Sequence, residues 1–380
     1  MGVKPLKVAL VHDWFAVSRG AEKVVDVFCE LFPDAPIYTL LHNKGIGATP
    51  RIEQHRIETS FIQRLPKAAT KYRNYLPLFP TAIETFDMAG YDLILSSSSC
   101  VAKGIMPHAG TTHICYIHTP MRYVYEMYDQ YFGPQHMGRL QRWLIPFFAN
   151  YLRTWDAASC NRVDHFVANS EYVRRRVARH YRRDATVIWP PVDTRRFALS
   201  QQPGDYYLCV GALVPYKRVE LAVAAAVKLG RRLLVVGTGP ERPRLEKLAG
   251  PNVEFLGYAD DQRLGELYAG CRALLFPVEE DFGIVPLEAQ ACGKPVIAFG
   301  RGGALETVVD GVTGIFFCRQ TADALADAIL QFEQQRDRFV PASIREHSLK
   351  FDRAMFKQRM AEFIENVMAA SPEGSAIGSP

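Results

Sequence analysis

The sequence has no Cys-x-x-Cys pair, no Asp-x-Asp motif and no apolar run long enough to cross a bilayer. The eight cysteines (Cys29, Cys100, Cys115, Cys160, Cys209, Cys271, Cys292 and Cys318) are scattered, most of them inside apolar runs. They read as reduced core thiols of a cytoplasmic protein, not as zinc ligands or a disulfide framework. A transmembrane helix would need about 20 apolar residues in succession, so a membrane-spanning protein is not expected. Met1-Gly2-Val3-Lys4-Pro5 leads straight into a strand, without the apolar core of a signal peptide. The first strand-to-helix turn holds one glycine, Gly20, where a dinucleotide fingerprint requires G-x-G-x-x-G, and this argues against nicotinamide or flavin chemistry. Nucleic-acid-binding motifs are also missing, and no metal or cofactor is expected.

A chain of 380 residues exceeds what one hydrophobic core usually holds, so two domains are expected. The content is 48% hydrophobic and 22% charged, an ordinary composition for a soluble chain. The net charge of +5 is uneven. Residues 1–190 carry 23 Lys+Arg against 16 Asp+Glu, and the remainder is slightly acidic. An anionic partner for the amino-terminal half, such as a membrane surface or a lipid pyrophosphate, competes with plain solvated helix faces.

Short apolar runs of the buried parallel type recur along the chain, several of them followed by a helical pattern. In the first half they are Lys7–Val11, ending at His12-Asp13-Trp14, then Pro36–Leu41, Tyr91–Ser96, His113–Ile117, Asp164–Ala168 and Thr186–Val192. The proline-punctuated stretch from Lys67 to Ile83 is expected to lack a regular element. Arg139 to Cys160 reads as a helix with an aromatic stripe (Trp143, Phe147, Phe148, Tyr151, Leu152, Trp155), which either packs on the sheet, the favoured reading, or lies on an anionic membrane. The helix Glu171–Arg183 is the most basic segment and would suit acidic headgroups. In the second half the strands are Tyr206–Val210, Leu233–Val236, Val253–Gly257, Ala273–Val278, Pro295–Phe299 and Thr313–Phe317. A helical pattern at 351–368 follows, and then a Ser/Gly/Pro tail at 371–380 that is expected to be disordered.

The stretch that organises the chain is Glu280-Asp281-Phe282-Gly283-Ile284-Val285-Pro286-Leu287-Glu288. It runs from a buried strand into a helix closed by Gly293, so its carboxylates lie beyond a strand's carboxyl end. In an open parallel sheet that edge binds ligands, and a helix start there offers N–H groups and a positive dipole end to an anion. The turn Gly302-Gly303 after the next strand offers a second helix start.

Two glutamates eight positions apart, enclosing Phe-Gly between strand and helix, resemble the E-x7-E signature of retaining glycosyltransferases of family 4. The resemblance implies an α/β chain of the GT-B fold, with two facing Rossmann-like, doubly wound domains and an interdomain cleft. An acceptor-binding domain is expected at 1–190, joined by a crossing helix at about 351–368, and a nucleotide-sugar-binding domain at 195–340. The resemblance assigns Glu288 to the ribose hydroxyls, and Glu280 with the Phe282-Gly283 backbone to the transferred sugar. Lys217 is assigned to the diphosphate, joined by the N–H groups of Ile284 and Val285, and Arg218 or Arg19 is expected to supply the charge of the family's missing second cation. It also assigns His118 to the donor sugar, the Arg19-Gly20 turn to donor phosphates and acceptor, and the turns at Gly237 and Gly239 to the walls around base and ribose. The family carries an Arg directly after Gly211, where this chain has Ala212. Asp13 is the carboxylate to test at the acceptor. The run His118-Thr119-Pro120-Met121-Arg122-Tyr123-Val124-Tyr125-Glu126 resembles a bacterial subset associated with mannose transfer. The expected activity is therefore transfer of a hexose, mannose from GDP-mannose, to a lipid-linked glycan at the cytoplasmic membrane face. The alternatives are a UDP-sugar donor, a hydrolase using Glu280 and Glu288 as acid and nucleophile, or a silent sugar-nucleotide-binding subunit.

Overall fold

The computed structural model describes residues 6–16, 20–125, 139–202 and 204–370, with only the backbone given for Tyr123 and 139–144. Arg19, Glu126 and the 371–380 tail lie outside the described residues. The chain divides into two compact units, Met1–Pro190 with Phe356–Pro380, and Pro191–Met355.

The first unit holds a seven-stranded sheet of β1 (Val8–His12), β2 (Ile37–Thr39), β3 (Ile57–Thr59), β4 (Leu93–Ser98), β5 (Thr112–Ile117), β6 (His165–Ala168) and β7 (Ala185–Val187). The second holds six strands, β8 (Tyr206–Val210), β9 (Leu233–Val236), β10 (Val253–Gly257), β11 (Cys271–Phe276), β12 (Val296–Phe299) and β13 (Gly314–Phe317). Among the described residues these strands pair in parallel, and the orders are β3-β2-β1-β4-β5-β6-β7 and β10-β9-β8-β11-β12-β13. Both sheets therefore reverse direction beside their first strand, between β1 and β4 and between β8 and β11. A crevice opens outside the carboxyl ends of the strands at such a reversal.

Apolar side chains alternate between the two faces of each sheet, so each unit has a core on either side. Val8 and Leu10 join Val24, Phe28 and Leu95 on one face of the first sheet, while Ala9, Val11 and Ile94 meet Phe79, Ala82 and Ile83 on the other. The helix Arg353–Ala370 completes the first core by burying Phe356, Met360, Ile364 and Val367, spaced one turn apart. The Phe356 ring stacks on Phe28 and meets Tyr116 edge-on at 5.5 Å. Burying side chains of this size contributes about 2 kcal/mol each.

Three expectations need correction. Lys67–Ile83 is not irregular: it forms the short helix Ala68–Lys71, a 3-10 helix Tyr72–Leu78 and the helix Phe79–Glu84. Pro80 stands in a first turn, where its missing N–H costs nothing, and Pro77 lies in the looser 3-10 segment. Second, the aromatic stripe of the helix Arg139–Ser159 is divided. Leu152 is buried and Trp155 packs over Gly104, but Phe147, Phe148 and Tyr151 are 65%, 44% and 43% exposed. Third, the basic helix Glu171–Tyr181 is not uniformly solvated. Arg176 is buried and donates to Thr119 Oγ1 at 2.6 Å, and Arg183, just beyond the helix, donates to the carbonyls of Cys160, Val163 and Asp164. Arg175, Arg179 and Arg182 remain exposed.

Candidate functional site

In the second unit the loops after β8, β9, β11 and β12 converge at the sheet reversal. Gly283, at φ 96°, opens the helix Ile284–Ala291. The first-turn N–H groups of Ile284 and Val285 have no acceptor within the helix. Phe282 is buried, its ring 5.8 Å from Phe351, so it presents only backbone to the surface. Gly302 and Gly303 are required by contact: a Cβ on Gly302 would lie 2.3 Å from Glu280 O, and one on Gly303 2.2 Å from Phe282 Cα. The Gly303 N–H donates to Glu280 O at 2.8 Å, which pins the two loops together.

Lys217, at the end of the 3-10 turn Pro215–Lys217, forms an ion pair with Glu280; both side chains are half-buried. A cation from the β8 loop and a carboxylate from the β11 loop thus meet over the reversal. Arg218 adopts φ 55° and donates to Glu220 Oε1 at 2.7 Å. Its guanidinium is therefore held on a neighbouring carboxylate, and Ala212 is exposed. Glu288 is buried at 7% exposure, and Tyr268 Oη donates to its Oε2 at 3.0 Å. Tyr268, on the helix Asp261–Gly270, orients that carboxylate and was not anticipated from the sequence.

Gly237 and Gly239, which the resemblance places around base and ribose, also have a packing requirement of their own. A Cβ on Gly237 would fall 1.9 Å from Gly211 O, and one on Gly239 2.2 Å from Leu213 O. These glycines let the β9 turn lie against the β8 loop.

In the first unit His12, Ser97 and His118 come together at the carboxyl ends of β1, β4 and β5. Ser97 pairs in register with His12 on one side and Tyr116 on the other, which puts His118 two residues further along the same face. Ser97 Oγ lies 2.8 Å from His118 Nε2 and 3.2 Å from His12 Nδ1. Burial pulls His118 down to about 3, with His12 adding to the effect, and pulls His12 down to about 4, so both rings are neutral near pH 7.

Asp13 is not an accessible carboxylate. It is 2% exposed, and its two oxygens accept the N–H groups of Ser99, Cys100, Val101 and Ala102 at 2.6 to 2.9 Å. Burial raises its pKa and the four donors oppose that. Asp13 thus ties the β1 end to the β4 loop, a structural role. Gly20 opens the helix Ala21–Leu31 at φ 110°, with its N–H donated to Glu22 Oε2 at 2.9 Å.

Residues 193–347 match the family model for glycosyl transferases group 1, and residues 19–196 match that for glycosyltransferase family 4. The chain belongs to glycosyltransferase family 4. Over 205 residues it is 32% identical to the GDP-mannose-dependent alpha-(1-6)-phosphatidylinositol monomannoside mannosyltransferase of Mycobacterium tuberculosis, covering 45% of this chain and 53% of that protein. The family 4 chain spans about half the length of the curated relatives it matches. Among solved structures it resembles a sucrose-phosphate synthase from Thermosynechococcus elongatus, with TM-score 0.73, 20% identity and coverage of 96% of this chain and 100% of that one. It also resembles Anabaena HepE in complex with UDP and glucose, with TM-score 0.67, 18% identity and coverage of 95% and 99%. The fold is GT-B, an α/β chain of two Rossmann-like units.

Proposed function

We propose that this family 4 chain is a retaining hexosyltransferase that moves mannose from GDP-mannose to a lipid-linked glycan at the inner membrane face. The observation that carries the reading is the Lys217–Glu280 pair at the β8/β11 reversal, backed by the Gly302-Gly303 turn. Transfer separates an anomeric carbon from a diphosphate, so negative charge grows on the leaving oxygens. Lys217 would turn from Glu280 to the phosphates, joined by the N–H groups that open Ile284–Ala291, and Glu280 would take up sugar hydroxyls. Each preorganised contact of this kind is worth roughly 3 kcal/mol of barrier. With that charge met by protein groups, transfer is proposed to proceed without a metal, and EDTA should leave the rate unchanged. Glu288, steadied by Tyr268, is assigned to the ribose hydroxyls.

Mannose as the sugar is supported by the His118–Glu126 resemblance and by the 32% identity to the GDP-mannose-dependent relative. A UDP-sugar donor is the second reading, favoured by the likeness to a fold that holds UDP and glucose. Membrane attachment is supported by the exposed Phe147, Phe148 and Tyr151 and by Arg175, Arg179 and Arg182, all on the first unit. None of the described helices is long and apolar enough to cross a membrane.

The test is a donor panel. Labelled GDP-mannose and UDP-sugars are incubated with the protein, with and without lipid-linked acceptor, and nucleoside diphosphate release is followed. Release from GDP-mannose that rises with acceptor is expected; binding without release from any donor would overturn the reading. Flotation with anionic liposomes at low salt tests attachment, and no shift removes it.

A further inference from the structure

The β4 end reads Ser96-Ser97-Ser98-Ser99, four hydroxyls where a buried strand usually carries apolar side chains. Ser97 is fully buried between two neutral imidazoles, and the proton positions can be deduced in order. His12 Nδ1 lies 3.2 Å from the Ser97 carbonyl oxygen as well as from Ser97 Oγ. A carbonyl only accepts, so the Ser97 carbonyl favours the ring proton on His12 Nδ1, while the Trp14 backbone also draws on that ring. With that proton shared between the Ser97 carbonyl and Oγ, Ser97 Oγ receives from His12 and its own proton faces His118 Nε2 at 2.8 Å. A neutral ring that accepts at Nε2 must be protonated at Nδ1. No hydrogen-bond partner for that second nitrogen exists among the described residues. Asn169 Nδ2 donates to the His118 carbonyl at 2.9 Å and the Tyr116 ring lies edge-on at 5.2 Å, so both backbone and ring are held in place.

We propose that Ser97 and His12 are positioning residues that lock His118 as the Nδ1–H tautomer, so that it donates a hydrogen bond to a sugar oxygen of the bound substrate. That role in transfer rests on the function proposed above, whereas the tautomer itself does not. The chain His12 to Ser97 to His118 sets one direction for every proton in the row, and removing the central hydroxyl frees His118 Nε2 to take the ring proton.

The tautomer is read by long-range 15N–1H correlation on histidine-labelled protein, with the His118 signals assigned by their loss in His118→Gln. Wild type should show an unprotonated Nε2 and a protonated Nδ1. Ser97→Ala should reverse the two, and Ser97→Thr, which keeps the hydroxyl, should not. With the donor found in the panel, Ser97→Ala should lower kcat roughly tenfold and leave KM within about twofold. A protonated Nε2 in wild type, or an unchanged His118 spectrum in Ser97→Ala, overturns the lock; the wild-type spectrum decides even if a variant fails to fold. A reversed tautomer with undiminished kcat overturns the positioning role. A chain that transfers from no donor but shows the expected spectra overturns the functional reading and leaves the lock standing.

Discussion

The two units reverse their sheets at the same place and treat that place differently. In the first unit the loop after β4 turns four N–H groups inward, and the chain's own Asp13 accepts all of them. In the second unit the loop after β11 opens a helix with Gly283, and over it stand Glu280 and Lys217, each still partly exposed. One reversal is closed by an internal anion, while the other carries a partly exposed cation and carboxylate. The same topology can therefore serve as a structural tie or as a ligand edge, depending on whether a buried carboxylate from the neighbouring strand satisfies the amide groups.

The contrast can be broken by substitution. The largest expected effect is Lys217→Ala, which should lower kcat for the donor found in the panel by about 10²–10³-fold and leave Tm close to wild type, because the pair it breaks is partly exposed. Asp13→Ala should do the reverse. It strands four buried donors, costs on the order of 3 kcal/mol and lowers Tm, with kcat per folded molecule retained; a wild-type Tm would refute the closed first reversal. Acid should also separate the units, since nine of the ten histidines lie in Met1–Pro190. Burial pulls His12 and His113 down to about 4 from 6.5, so the unfolded chain takes up protons first as pH falls. Their contribution is complete above about pH 6.5 and is lost progressively toward pH 4, with roughly 2 kcal/mol forfeited by each at pH 5. Calorimetry at pH 7.5 and 5 should show the first unit melting earlier, and a uniform shift would count against it. The smallest effect is Tyr268→Phe, which removes one hydrogen bond to Glu288 and should raise KM by less than about tenfold without altering kcat.

Much of the fold was legible because parallel strands buried on both faces leave continuous apolar runs. Twelve of the thirteen strands overlap such runs, and the exception, β3, is a three-residue edge strand whose Ile57-Glu58-Thr59 carries no such signal. The helix starts at Gly283 and Gly20 were readable from glycine placement. Side-chain use was less so. Asp13 and Glu280 both follow a strand, and nothing local distinguishes a carboxylate that caps four amides from one left near solvent. At Gly237 and Gly239 the sequence does not reveal that another backbone crosses about 2 Å from where a Cβ would stand. The serine run at β4 was the visible signal for Ser97, a polar cluster in a strand too buried to hydrate it.

By itself the sequence determined two doubly wound sheets, the order of apolar strands and glycine turns, and the E-x7-E segment with Lys217 at its partner turn, because these depend on periodicity and backbone freedom within a few residues. Only the tertiary structure decided which carboxylate is consumed and which is exposed, that Arg218 is held by Glu220, that Tyr268 steadies Glu288 and that Ser97 joins two histidines. Apart from the local Arg218–Glu220 pair, those contacts link residues the fold brings together, and partners as distant in sequence as Asp13 and Ala102, 89 positions apart, leave no trace in local pattern.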